Sequence, residues 1–154
     1  MIETFKFFVA GECQPQGSKK GFHIKSINRV VMVDANKDTK KWRERIATEA
    51  QRANSERMKS GMKSFFEPEG KAYVVHAEFK FVRPKSYPKS FIYRHTKKPD
   101  LDKLIRSVFD GMTDVLYHDD NAIDGVSAHK SYCVGEEQPG CWITVTMDDE
   151  RWKN

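Results

Sequence analysis

Between Pro99 and Met112 the apolar residues Leu101, Leu104, Ile105, Val108, Phe109 and Met112 recur at i, i+3, i+4, i+7, i+8 and i+11. That spacing draws one continuous stripe down an α-helix. Pro99 opens it, at home in a first turn, where its missing N–H is no loss. An earlier helix is expected from about Asn36 to Arg57. There Trp42, Ile46, Ala50 and Ala53 return at helical spacing, and Lys40, Lys41, Arg43, Arg45 and Arg52 form a basic face. Simple solvation accounts for such a face as readily as contact with a DNA backbone does.

A period of two takes over from Ala72 to Val82. Tyr73, Val75, Ala77, Phe79 and Phe81 fall on one side of a strand, and Val74, His76, Glu78 and Lys80 on the other. Thr4–Val9, Ala122–Cys133 and Trp142–Met147 read as further strands, the last two joined by a turn at Gly135–Gly140. Phe22–Val33 suggests a hairpin or two short strands. Gln14–Gly21 reads as a flexible basic loop with two glycines, and residues 58–70 as another loop. Pro84 and Pro88 stiffen a long loop from Arg83 to Lys98. In that loop six cations alternate with Tyr87, Phe91 and Tyr93, a pattern suited to phosphate contact and to stacking on unpaired bases. A packed loop with solvated lysines fits the same residues.

The order β–β(–β)–α–β–α–β–β predicts an α+β fold in one domain spanning residues 1–154. We expect a mixed sheet of four to six strands with two main helices on one face. At 154 residues and 38% hydrophobic, the chain is long enough to bury a sizeable core. Mean hydropathy is −0.71. No apolar run approaches a membrane span and no signal peptide is evident, so the expected compartment is the cytoplasm. Cys13, Cys133 and Cys141 lack metal-ligand spacing and read as idle or buried thiols. His118 and His129 likewise read as structural or surface residues.

The net charge of +5 hides an asymmetry. Residues 1–98 hold 22 of the 27 Lys and Arg and 10 of the 22 Asp and Glu, whereas residues 99–154 hold 5 and 12. A basic surface attracts polyanions. The gathered acids then need a separate reason.

Those acids are Asp100 and Asp102, with Asp119 and Asp120 further on. Inside a regular helix, Asp100 and Asp102 would point about 200° apart. They converge only if the helix starts between them, with Asp100 extended at the cap. Both would then sit at the positive end of the helix dipole. A purely structural account makes Asp100 an N-cap and pairs Asp102 with Arg106 at i+4. The second acidic pair favours chemistry, since a turn before the next strand could return it to the helix N-terminus. Converging carboxylates repel unless a cation neutralises them, and hard oxygen donors select Mg²⁺, with Mn²⁺ as the alternative.

The run Pro99-Asp100-Leu101-Asp102-Lys103-Leu104-Ile105-Arg106, the aliphatic helix after it, Asp119-Asp120, and Lys130 on the next strand resemble the RusA family of Holliday junction resolvases. The strong match covers about residues 97–132. The resemblance implies a homodimeric, Mg²⁺-dependent endonuclease that nicks opposed strands of a four-way DNA junction, of a kind frequent in prophages. It further implies metal ligation by Asp100, Asp102 and Asp120, with Asp119 as a fourth acid, and DNA contact by Lys130. Two positions depart from the family pattern: Lys103 replaces an asparagine and Arg106 a lysine. Arg106 stays protonated, so its catalytic role would be charge stabilisation rather than proton transfer. The basic loops add Lys19, Lys20, Arg94, Lys97, Lys98 and Lys103 as DNA-binding candidates. Two other functions compete: a catalytically silent DNA-binding module of the same fold, and a metal-dependent nuclease acting on flaps or RNA.

Overall fold

The computed structural model describes residues 2–17, 19–34, 37–66 and 70–151. The side chains of residues 19, 20, 33 and 34 lie outside that description. Strand β1 (Glu3–Ala10) is followed by β2 (Lys19–Ile24), β3 (Arg29–Asp34), helix α1 (Lys37–Lys59) and β4 (Lys71–Phe81). Helix α2 (Leu101–Met112), a short 3₁₀ turn (Asp120–Ala122), β5 (Ile123–Tyr132) and β6 (Gly140–Asp149) complete the chain. The expected α+β architecture holds.

Four strands form one mixed sheet in the order β1-β6-β4-β5. β6 runs antiparallel to both β1 and β4, and β4 pairs with β5 in parallel, Tyr73 opposite Ile123 and Phe81 opposite Tyr132. The alternation seen in the sequence is the alternation of burial. Phe5, Phe7 and Val9 of β1, Tyr73, Val75, Ala77 and Phe79 of β4, and Cys141, Ile143 and Val145 of β6 all face the core.

Both helices cover that face. Trp42, Ile46 and Ala50 bury the stripe of α1, and Leu104, Val108 and Met112 that of α2, while Leu101, Ile105 and Phe109 pack at its margin. The helices touch where Gly111 leaves room: an added Cβ would meet Ile46 side-chain carbons at 2.8 Å and the Arg43 carbonyl at 3.2 Å. Overpacking a rigid contact costs about 1–3 kcal/mol, more than any helix propensity valine would add. We therefore expect Gly111→Val to lose about 2–3 kcal/mol of stability, measured as a lower denaturation midpoint at unchanged slope.

Three expectations need correction. α2 starts at Leu101, two residues after Pro99, because Asp100 takes the cap position. Residues 19–34 do not join the main sheet; β2 and β3 pair only with each other. The segment read as a flexible loop is also partly tied down. The Gln16 N–H donates to the Lys103 carbonyl (2.8 Å), the Thr39 hydroxyl to the Pro15 carbonyl (2.8 Å) and Arg43 to the Gln16 side chain (2.7 Å). Those bonds hold residues 15–16 in the angle between the starts of α1 and α2.

The basic face of α1 is largely occupied within the chain. Arg45 donates to the Ala10 carbonyl, Arg52 pairs with Glu49 and Glu56, and Lys40 pairs with Glu44. Such contacts are those a solvated, structural face makes, and exposed ion pairs of this kind leave Lys40 and Arg52 within reach of a phosphate. All three cysteines are free, and burial pushes the Cys13 thiol up to about 12, so it is inert at neutral pH.

Candidate functional site

Asp100 stands at the N-cap of α2 with extended backbone (φ −69°, ψ 140°), as the start of the helix between the two aspartates required. Its carboxylate makes no capping hydrogen bond. Instead it lies 3.6 Å from the Lys103 ammonium. Asp102 is exposed in the first turn, and among the described residues no ion pair joins it to Arg106. Asp100 thus holds the N-cap position without the capping bond, and the Asp102–Arg106 pair of the structural account does not form.

The loop before Asp100 is held from the sheet. Lys130 of β5 points to the helix-bearing side and donates to the carbonyls of Pro99 (2.7 Å) and Lys97. Its ammonium thus anchors the segment that aims Asp100. Beside it, His95 stacks on Tyr132 with centroids 4.5 Å apart and meets Phe81 edge-on. Burial, and then the neighbouring Lys130 charge, lower the His95 pKa, so the ring is neutral at pH 7. Lys97 lies over the Tyr87 ring at 5.5 Å. Lys98, Lys103, Pro15, Pro99 and Asp100 line a groove of about 320 Å³. Arg94 and Arg106 are exposed. Lys19 and Lys20 lie on β2, but their side chains are outside the described residues.

The second acidic pair sits elsewhere. Asp119 caps the 3₁₀ turn, accepting from the Asn121 N–H at 2.9 Å, and Asp120 begins it. Tyr117, two residues earlier, donates to the Phe109 carbonyl at the far end of α2 and packs against Tyr73. Burial raises the Tyr117 pKa, and the charges of Asp120 and Asp110 raise it further. These contacts put Asp119 and Asp120 at the Tyr73 end of β4, whereas Lys130, opposite Phe79, holds the Asp100 end. Phe79 lies six steps along the strand from Tyr73, about 20 Å at about 3.3 Å each. The twelve residues of α2 span about 18 Å, in agreement.

The expected convergence of Asp100, Asp102 and Asp120 does not occur within one chain. Among the described residues, no three His, Cys, Asp or Glu side chains are close enough to hold one ion. The cause is the parallel pairing of β4 and β5. A parallel crossover must carry the chain back the length of the sheet, so α2 keeps its two ends, and their acids, apart. Each end offers exposed carboxylate oxygens, the right donor chemistry for Mg²⁺, but only a partial donor set.

A family model described as Endodeoxyribonuclease RusA matches residues 12–146 of this chain. The chain belongs to the RusA endodeoxyribonuclease family, and its activity class is that of a nuclease. No curated protein matches it. No helix among the described residues is long and apolar enough to cross a membrane.

Proposed function

We propose that this nuclease is a homodimeric, divalent-metal-dependent endonuclease that resolves four-way DNA junctions by paired nicks, one from each of two equivalent sites. The observation that carries the reading is the pair Asp100 and Asp102. Both carboxylates are exposed, neither is used as a cap, and they stand beside a groove flanked by Lys98 and Lys103. In water such a pair gains little structurally beyond the helix dipole and the Lys103 contact; beside a bound ion and a phosphate it supplies negative ligands where that dipole favours them.

Separation of the acids within the chain supports a dimer. Among the described residues no third carboxylate of the same chain stands with Asp100 and Asp102, and we assign that role to Asp119 and Asp120 of a second copy, at the other end of its α2. The β2–β3 hairpin supplies a surface for that second copy. Phe22, Val30 and Met32 are 54%, 65% and 56% exposed, on both faces of a two-stranded sheet that water alone would leave marginal. The hairpin also leaves the domain directly after residues 15–16, which rest on the N-terminal end of α2. A two-fold pair would then present two sites, as a junction with two opposed scissile strands requires.

Mg²⁺, or Mn²⁺ in its place, would supply a nucleophilic hydroxide and stabilise the leaving oxygen. The chain's own residues do the remaining work. Lys98 and Lys103 draw the phosphate into the groove, Arg106 adds a permanent positive charge on the exposed face of α2, and Lys130 fixes the loop bearing Asp100 through two carbonyls. Lys103 also competes for Asp100, so ion binding must displace a contact of 3.6 Å.

The decisive experiment incubates the wild-type protein with a synthetic four-way junction, a duplex, a flap and RNA, with and without Mg²⁺. We expect symmetric nicks on the junction alone, and only with the metal. Mg²⁺-dependent cutting of flaps or RNA in preference to the junction would replace the substrate assignment. Junction binding without any cutting would identify a silent DNA-binding module.

A further inference from the structure

The long loop 82–98 folds back over the ends of β4 and β5 and encloses a cavity of about 480 Å³. Three cations line it (Lys80, Arg83 and Lys89), and no carboxylate does. Its other walls include Phe91, Tyr93 and Tyr132. The size falls within the range of pockets for small organic ligands, well below the breadth of a duplex.

The rings are braced. Tyr93 packs on Tyr87 at 4.4 Å, Tyr87 meets Tyr132 edge-on at 5.7 Å, and Tyr132 stacks on His95. Phe91 touches Tyr93 edge-on at 6.3 Å and is still 64% exposed, while the adjacent Ile92 is 92% exposed. A flat apolar ring held open beside cations suits one ligand class: a planar base carrying a phosphate. Lys80 is neutralised by Glu137 at 3.2 Å, and among the described residues the Arg83 guanidinium makes only a long contact (3.4 Å) to the Pro88 carbonyl. Arg83 is thus the cation best placed to meet a new anion.

The cavity and the acidic groove share no lining residue. β5 links them along the chain: Ser131 and Tyr132 form part of the cavity wall, and the preceding residue, Lys130, is bonded to Pro99 next to Asp100. We propose that this cavity receives one unpaired nucleotide, its base stacked on Phe91 and its phosphate met by Arg83. The proposal rests on the nuclease reading for its biological use, but the binding itself requires no metal and no cleavage. At a four-way junction, such a pocket would select strands that can release a base at the branch point over continuous duplex.

A single-stranded oligonucleotide carrying the fluorescent base 2-aminopurine tests it in metal-free buffer. With wild-type protein we expect the fluorescence to change on binding as the base stacks. Phe91→Ala should abolish that change and weaken binding about tenfold, as loss of one stacked base does. Arg83→Gln should weaken binding and reduce its salt dependence by about one counterion. Because Phe91 is exposed, an unchanged thermal melt is expected and would separate lost stacking from lost fold. Unaltered affinity and fluorescence in Phe91→Ala would overturn the proposal. So would conversion of a wild-type dimer to monomers by Phe91→Ala with oligonucleotide binding intact, which would make the surface a contact between copies. If the wild type stacks the base yet nicks no DNA, the nuclease reading fails and the pocket stands; normal nicking without stacking has the reverse meaning.

Discussion

Asp102→Asn is expected to lower junction nicking at least about a thousandfold while leaving the fold and junction binding in place. The magnitude follows from charge. An asparagine offers one neutral oxygen where a carboxylate offers a full negative charge to a divalent ion, and removal of one electrostatic partner at a reacting phosphate commonly costs that much. The structural cost is small because Asp102 is exposed and lacks the predicted partner Arg106. Its only loss is the favourable interaction with the helix N-terminus, about 0.3–1 kcal/mol. Single-turnover nicking of a synthetic junction, gel shift without metal and thermal melting together make the measurement. Cutting at the wild-type rate would remove Asp102 from the site and return the acids to a structural role.

Mixing Asp102→Asn protein with Asp120→Asn protein is expected to restore nicking that neither shows alone. If each site takes Asp100 and Asp102 from one copy and Asp120 from the other, a mixed dimer has one site with both substitutions and one with none. Random exchange of subunits then leaves about a quarter of the wild-type sites intact. Those dimers carry a single working site, so junctions should be nicked on one strand without the opposed cut. The placement of the two acidic pairs at opposite ends of α2, a helix about 18 Å long, is the basis for expecting this result. Full inactivity of the mixture, with subunit exchange verified by differently tagged proteins, would mean that each chain assembles its own site after a rearrangement of the α2 ends.

The pattern of residues carried the site only as far as one helix. The i, i+3, i+4 stripe located α2, and the need for Asp100 and Asp102 to converge set its start between them. The structure bears out that start, with Asp100 extended at the cap. The same reasoning could not carry Asp119 and Asp120 to their place. A turn before a strand can lead in either direction, and nothing local distinguishes them. Lys130 shows the same limit. Its position on a strand was legible, but its bonds to the Pro99 and Lys97 carbonyls depend on which strand lies beneath the helix. Phe22–Val33 was legible as a hairpin or two short strands; only the structure makes it a hairpin standing apart from the main sheet.

By itself the sequence determined the elements, the buried faces of β4 and the two helices, the α+β class and the aspartates at the tip of α2, because periodicity and capping are properties of neighbours along the chain. Only the tertiary structure decided that β5 lies parallel to β4, that the two acidic pairs stand at opposite ends of α2, and that the aromatic loop closes over a cavity. Strand partners are chosen by contacts between residues far apart in sequence, and a buried face of period two looks the same whichever neighbour it meets.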